Sequence, residues 1–91
     1  MSMTFGGYAP KVIAGEPERF EAIEIEGVRE EDGHCEVDNV TPEFFSVYLR
    51  LKPDGDDVGA RCVGDFETHA EAVAYAENLA CRYGWQIRHK V

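Results

Sequence analysis

The chain has 91 residues, 44% of them hydrophobic, with 18 acidic residues against nine lysines and arginines. This length predicts one domain with a modest core, and the hydrophobic fraction excludes a wholly disordered chain. The stretch from Glu16 to Glu43 holds eleven acidic and two basic residues, which account for the whole net charge of −9. Because an acidic field repels phosphates and anionic lipids, the charge disfavours direct binding to nucleic acid or a membrane surface. A solvated acidic face or a basic protein partner fits it better.

The cysteines and the N-terminal residues predict a cytoplasmic location. Three cysteines, none paired as C-x-x-C, do not make a disulfide framework and fit the reduced thiols of a cytoplasm. The first 15 residues lack the basic region and the apolar run of a signal peptide. No stretch approaches the roughly 18 apolar residues of a membrane span.

Residues 1–18 predict a flexible N-terminal arm in front of a single α+β domain over residues 19–91. The segment contains three glycines and two prolines and shows no clear hydrophobic period. In an alternative interpretation, four of its apolar residues dock on the domain or on a partner. These residues are Phe5, Tyr8, Val12 and Ile13.

The first half of the domain predicts strands. In "EAIEIEG" isoleucine alternates with glutamate, which is typical of a half-buried strand with its acids on an exposed face. Asp32-Gly33 favours a hairpin turn, after which residues 34–38 return as a short strand. The strongest strand is "FFSVYLRL", whose two faces hold Phe45, Val47, Leu49 and Leu51 on one side and Phe44, Ser46, Tyr48 and Arg50 on the other. "KPDGDD" forms a turn, and "VGARCVGDF" returns as an antiparallel strand.

The second half predicts a helix and a final strand. Thr68 and Glu71 form a capping box, and small apolar residues recur at helical spacing behind it. Gly84 suits the left-handed position that ends a helix, and Trp85 then contacts the last turn. "WQIRHKV" alternates as a strand.

These elements predict an α+β fold in which a small, mostly antiparallel sheet of four to five strands carries one helix on one face, in the order β(β)ββαβ. One helix leaves the other face bare, so we expect a homodimer through that face or a free edge. The residues expected on the interaction face are Phe44, Tyr48, Arg50, Glu24 and Glu26.

Candidate catalytic and metal sites are weak. The possible metal ligands are His34, Cys35, Cys62, His69, Cys81 and His89. The only close pair is His34-Cys35, whose side chains point to opposite faces of a strand, so we expect no metal. Cys62 and Cys81 fit small core residues better. Cys35 with a histidine does not form a supported nucleophile–base pair, and we expect neither a catalytic residue nor a cofactor.

The run from Phe44 to Trp85 resembles a type of small, uncharacterised bacterial domain of the proteobacterial kind. The shared pattern is a strand with V-Y, a glycine turn, a strand ending D-F, and an F-x-T-x-x-E-A-x-x-x-A helix closed by Y-G-W. The resemblance implies a cytoplasmic protein and no activity. The helix motif also resembles the arm-binding domains of phage integrases, whose DNA-binding sheets are basic, whereas this chain is acidic.

The sequence therefore predicts a non-enzymatic protein-interaction module that acts as a homodimer or binds a basic protein. The alternative is a nucleic-acid-associated accessory protein. Such a protein either stacks single strands on the sheet aromatics or mimics DNA with its acidic stretch.

Overall fold

The computed structural model describes residues 5–53 and 58–91, and these form an α+β fold with one main helix. The centre of the turn expected at "KPDGDD" lies outside them. Their elements in chain order are β1 (Gly6–Gly7), α1 (Ala9–Ile13), β2 (Phe20–Glu31), β3 (His34–Val37), β4 (Phe44–Leu51), β5 (Ala60–Phe66), α2 (His69–Tyr83) and β6 (Gln86–His89). A single 3₁₀ turn over Pro17–Arg19 leads into β2.

The sheet has the strand order β1-β5-β4-β2-β3, and β6 pairs with β2 beside β3. All pairings are antiparallel except that of β6 with β2. Because β2 is 12 residues long, β6 lies along Ala22–Ile25 and β3 along Val28–Glu31 on the same side. The described residues thus contain six strands rather than four or five, and their order differs from β(β)ββαβ because β1 and α1 precede the run from β2 to β6.

The main helix α2 begins and ends where the sequence predicts. The Thr68 hydroxyl oxygen accepts the backbone N–H of Glu71 at 3.2 Å, and Gly84 ends the helix at φ 79°. Small residues of α2 then pack against the sheet, where their size allows a close approach. The buried contacts include Ala72, Ala76 and Leu79 of the helix and Ile23, Ile25, Val47, Leu49 and Val63 of the strands.

The N-terminal segment is docked rather than loose, and the prediction of a flexible arm is corrected for residues 5–18. Ala9 and Ile13 are buried in the core, and the backbone N–H of Ala9 donates to the Tyr75 hydroxyl at 3.0 Å. Of the three glycines that suggested flexibility, Gly7 allows a close approach instead, because a Cβ at this position would overlap the Tyr75 ring. Residues 1–4 lie outside the described ranges.

The hairpin predicted at Asp32-Gly33 is confirmed. Both residues have positive φ, 51° and 81°, as a two-residue hairpin turn of this kind requires. It connects β2 to β3, whose four residues are all exposed. The acidic residues near this turn therefore project into solvent at one end of the sheet.

Candidate functional site

The sheet face opposite α2, here called the open face, carries four rows of side chains that run across the strands. The register of the strands places these residues side by side. From the hairpin end, the rows are Val37, Val28 and Phe44; then Glu26, Ser46 and Asp65; then Arg88, Glu24, Tyr48 and Cys62; then Gln86, Ala22, Arg50 and Ala60. All five residues predicted for the interaction face lie in these rows.

The third and fourth rows contain an ion cluster centred on Glu24. Arg50 binds both carboxylate oxygens, from Nε to Oε2 at 2.9 Å and from Nη2 to Oε1 at 2.7 Å. Arg88 adds a third bond from Nη1 to Oε2 at 3.3 Å. The Glu24 side chain is only 2% exposed, whereas those of Arg50 and Arg88 are 35% and 40% exposed. Both guanidinium groups are thus anchored from beneath and open to solvent above.

The charges of this cluster do not cancel. The hydrogen bonds from Arg50 lower the pKa of Glu24, although burial acts in the opposite direction, and Arg88 lowers it further. Glu24 is therefore ionised at neutral pH, and one carboxylate faces two guanidinium groups. Each guanidinium has five N–H donors, of which Arg50 uses two and Arg88 one on Glu24. The cluster keeps one net positive charge and several N–H groups for another acceptor.

Two expectations about the acidic strand and the aromatics are corrected here. Glu24 was predicted on an exposed face but is buried, because arginines 26 and 64 positions further along the chain fold over it. Phe44 is 4% exposed, since the ring of Phe5 meets it edge-on at 6.1 Å between centroids. Phe44 therefore belongs to a small apolar cluster, and the more exposed apolar groups of this end are Phe5 and Val37.

A second polar cluster lies towards β5. Ser46 Oγ donates to Asp65 Oδ1 at 2.6 Å, and the Tyr8 hydroxyl donates to Cys62 Sγ at 3.2 Å. Burial raises the pKa of the Cys62 thiol and raises that of Tyr48 to about 12. Both groups are protonated at neutral pH, so here they act as hydrogen-bonding groups and not as a thiolate and a phenolate.

The possible metal ligands are scattered. Within residues 5–53 and 58–91, no group of three or more His, Cys, Asp or Glu side chains is placed to hold a metal ion. Cys62 is half-buried and Cys81 is exposed, so the prediction that both are core residues is wrong for Cys81. The helical position of Cys81 puts it beside the apolar stripe rather than within it.

The sequence reasoning missed Arg88 as a site residue. The alternation of "WQIRHKV" does place Arg88 opposite Ile87, but only the parallel register of β6 on β2 brings it next to Glu24. No family model, curated protein or solved structure matched the chain. In the described part of the chain, neither helix has the length and apolar character needed to cross a membrane.

Proposed function

We propose that this protein is a non-enzymatic protein-interaction module that forms a homodimer through its open face. The observation that carries the proposal is the pair of part-exposed arginines anchored on a buried glutamate. Arg50 and Arg88 stand on the one face of the sheet that α2 does not cover. Ordered charged groups of this kind, with unused donors, are suited to recognise another surface.

The open face also has the property that a two-fold dimer requires. In such a dimer the same patch meets itself, so it must carry groups that complement one another. The open face holds the cationic cluster of Arg50 and Arg88 together with the neighbouring acid Glu26. Phe5 and Val37, exposed at the hairpin end, add apolar area to the same face.

A basic protein remains the second partner that the charge favours. The acids around the β2–β3 turn are exposed and lie at one end of the sheet. Reversal of Glu31, an exposed acid beside the turn, to lysine tests this partner, whereas reversal of buried Glu24 would place like charges together and unfold the domain. A basic protein that co-purifies with the wild type and is lost with Glu31→Lys would support it.

The nucleic-acid alternative rests on Tyr48, which lies on the open face beside Glu24 and two residues from Arg50 on β4. This alternative loses one of the two aromatic rings expected to stack on bases, since Phe44 is buried. Titration with single-stranded DNA at low salt tests it, because phosphate contacts weaken steeply as salt is added. If the protein does not bind at low salt, direct recognition of single-stranded DNA is ruled out.

The solution mass of the full chain tests the homodimer. Sedimentation equilibrium should give twice the 10.2 kDa of one chain. Tyr48→Lys places a further charge at the centre of the open face and should give a monomer, while Glu77→Lys on the exposed side of α2 should leave the dimer intact. A wild type that stays monomeric at high micromolar concentration would overturn the proposal.

A further inference from the structure

We infer that, in the dimer proposed above, Glu26 of each copy docks on the Arg50–Arg88 pair of the other copy. The inference rests on that dimer and specifies its central contact. It assigns a carboxylate as the ligand of the arginine pair and a second copy of the chain as its source.

The positions of Glu24 and Glu26 on β2 allow this contact geometrically. They lie on the same face of the strand two residues apart, a separation of about 7 Å. Consider a two-fold axis that lies between the two facing sheets, runs perpendicular to β2 and passes midway between Glu24 and Glu26. This axis places Glu26 of one copy opposite Glu24 of the other. Each Glu26 then faces the other copy's Glu24, which Arg88 flanks from β6 and Arg50 from β4. Facing sheets pack about 10 Å apart, a gap that these long side chains span from both sides.

The charges of the arginine cluster and of Glu26 are complementary. Glu24 neutralises only one of its two arginines, and the half-exposed guanidinium groups keep unused N–H donors. Among the hydrogen bonds and ion pairs of residues 5–53 and 58–91, none involves the Glu26 carboxylate. One further carboxylate would bring each arginine cluster to neutrality, and the two-fold axis supplies one Glu26 to each cluster.

The surroundings favour a single carboxylate over a phosphate chain. The carboxylates of Glu26 and Glu21 both lie near enough to act on Arg50. They repel a polyanion more strongly than a single carboxylate, which carries one charge and can take up the parallel donors of a guanidinium group. The dimer contact therefore matches both the charge and the shape of the cluster.

A charge-exchange experiment tests this contact. Arg88→Glu and Glu26→Arg should each abolish the dimer, because every copy then meets a like charge. An equimolar mixture of the two single variants should form a heterodimer, since it restores an opposite pair at both contacts. Arg88 is replaced rather than Arg50 because its replacement leaves both bonds from Arg50 to Glu24 in place. Controls with the same charge changes on α2, Arg82→Glu and Glu77→Arg, should remain dimers.

A milder variant separates binding from folding. Arg88→Gln keeps the bidentate Arg50–Glu24 pair, and it should fold with a wild-type circular dichroism spectrum yet dimerise about tenfold or more weakly. A monomeric wild type would overturn the proposed dimer and this contact together. A wild-type dimer that Arg88→Gln and Glu26→Arg leave unchanged, or a mixture of single variants that stays monomeric, would overturn the contact alone.

Discussion

Trp85 donates its indole N–H to the backbone carbonyl of Phe20 at 3.1 Å, which joins the end of α2 to the start of β2 across 65 positions of the chain. The same indole stacks on Tyr83 with 4.6 Å between centroids and meets the Phe20 ring edge-on at 6.1 Å. The contact with the last helical turn expected from the sequence is thus confirmed. Because Trp85 directly precedes β6, this contact also places the start of β6 next to the start of β2.

Trp85→Phe should destabilise the domain by about 1–2 kcal/mol, because it removes a donor from a part-buried carbonyl and reduces aromatic contact. The measurement is the free energy of unfolding in urea. Tyr83→Phe is the matched control, since the described residues show no hydrogen bond from its hydroxyl, and it should change stability by less than about 0.5 kcal/mol. Equal effects of the two variants would mean that the indole hydrogen bond contributes nothing.

Glu24→Gln should cost about 2–3 kcal/mol in unfolding free energy. A glutamine keeps the shape of the side chain but leaves two arginines around a neutral group, and removal of one partner from a buried ion pair is strongly destabilising. The part-exposed arginines can turn to water, which moderates the loss. Glu21→Gln, an exposed position on the same strand, should stay within about 0.5 kcal/mol of the wild type.

The same carboxylate gives the domain an acid-sensitive component of stability. The hydrogen bonds from Arg50 lower the folded-state pKa of Glu24 below the unfolded value of about 4.3. Its stabilisation is therefore fully present above about pH 5 and is lost as the pH falls through the lowered folded-state pKa. Urea unfolding between pH 7 and pH 3 should show a shallower decline for Glu24→Gln than for the wild type. A residual slope should remain, because backbone N–H bonds from Thr41 and Val40 also lower the pKa of Asp38.

Gly7→Ala should destabilise the domain by about 1–3 kcal/mol, because the new methyl group would push the Tyr75 ring out of its place against Phe66 and the backbone of Ala9. In a Tyr75→Leu background, which lacks the ring, the same change should cost less than about 1 kcal/mol. Thermal unfolding of the four proteins in this cycle measures the coupling. Additive effects would contradict the docked position of the N-terminal segment.

The three cysteines should react with a thiol reagent in two groups at pH 8. Cys35 and Cys81 are exposed, whereas burial raises the pKa of Cys62 and reduces its thiolate fraction. Two thiols should therefore react rapidly and the third more slowly, with the phases merging in denaturant. Cys62→Ser should remove only the slow phase, and loss of a fast phase instead would show that Cys62 is not the protected thiol.

The sequence predicts the local elements of this fold well, because short-range chemistry determines them. The capping box at Thr68, the left-handed stop at Gly84 and the positive-φ turn at Asp32-Gly33 each depend on residues within one turn of the chain. Hydrophobic alternation likewise assigns Val47 and Leu49 to the helix-covered face. These features need no knowledge of which strands are neighbours.

What the sequence does not predict is set by contacts between distant segments. Alternation places Glu24 opposite Ile23 and Ile25, but its burial depends on Arg50 and Arg88, which arrive from two other strands. Similarly, the glycines of the N-terminal segment predict flexibility, whereas the Tyr75 ring occupies the space beside Gly7 that a side chain would fill. In both cases the physical cause is a register between strands or a packing contact, which local patterns do not contain.

The parallel pairing of β6 with β2 has a consequence for the order in which the molecule assembles. During synthesis β2 leaves the ribosome first, and β3, β4 and β5 follow in turn, each able to pair with a strand already made. The first half of β2 pairs with β4 on one edge, but its other edge stays unpaired until residues 86–90 emerge, because there Ile87 pairs with Ile23 and the backbone N–H of Lys90 donates to the carbonyl of Ile25 at 3.0 Å. Until then the nascent chain presents an open edge at Ala22–Ile25, together with a glutamate that lacks its second arginine. Closure of the sheet is therefore a late, long-range step, and this edge is the part of the growing chain exposed to mispairing with its neighbours.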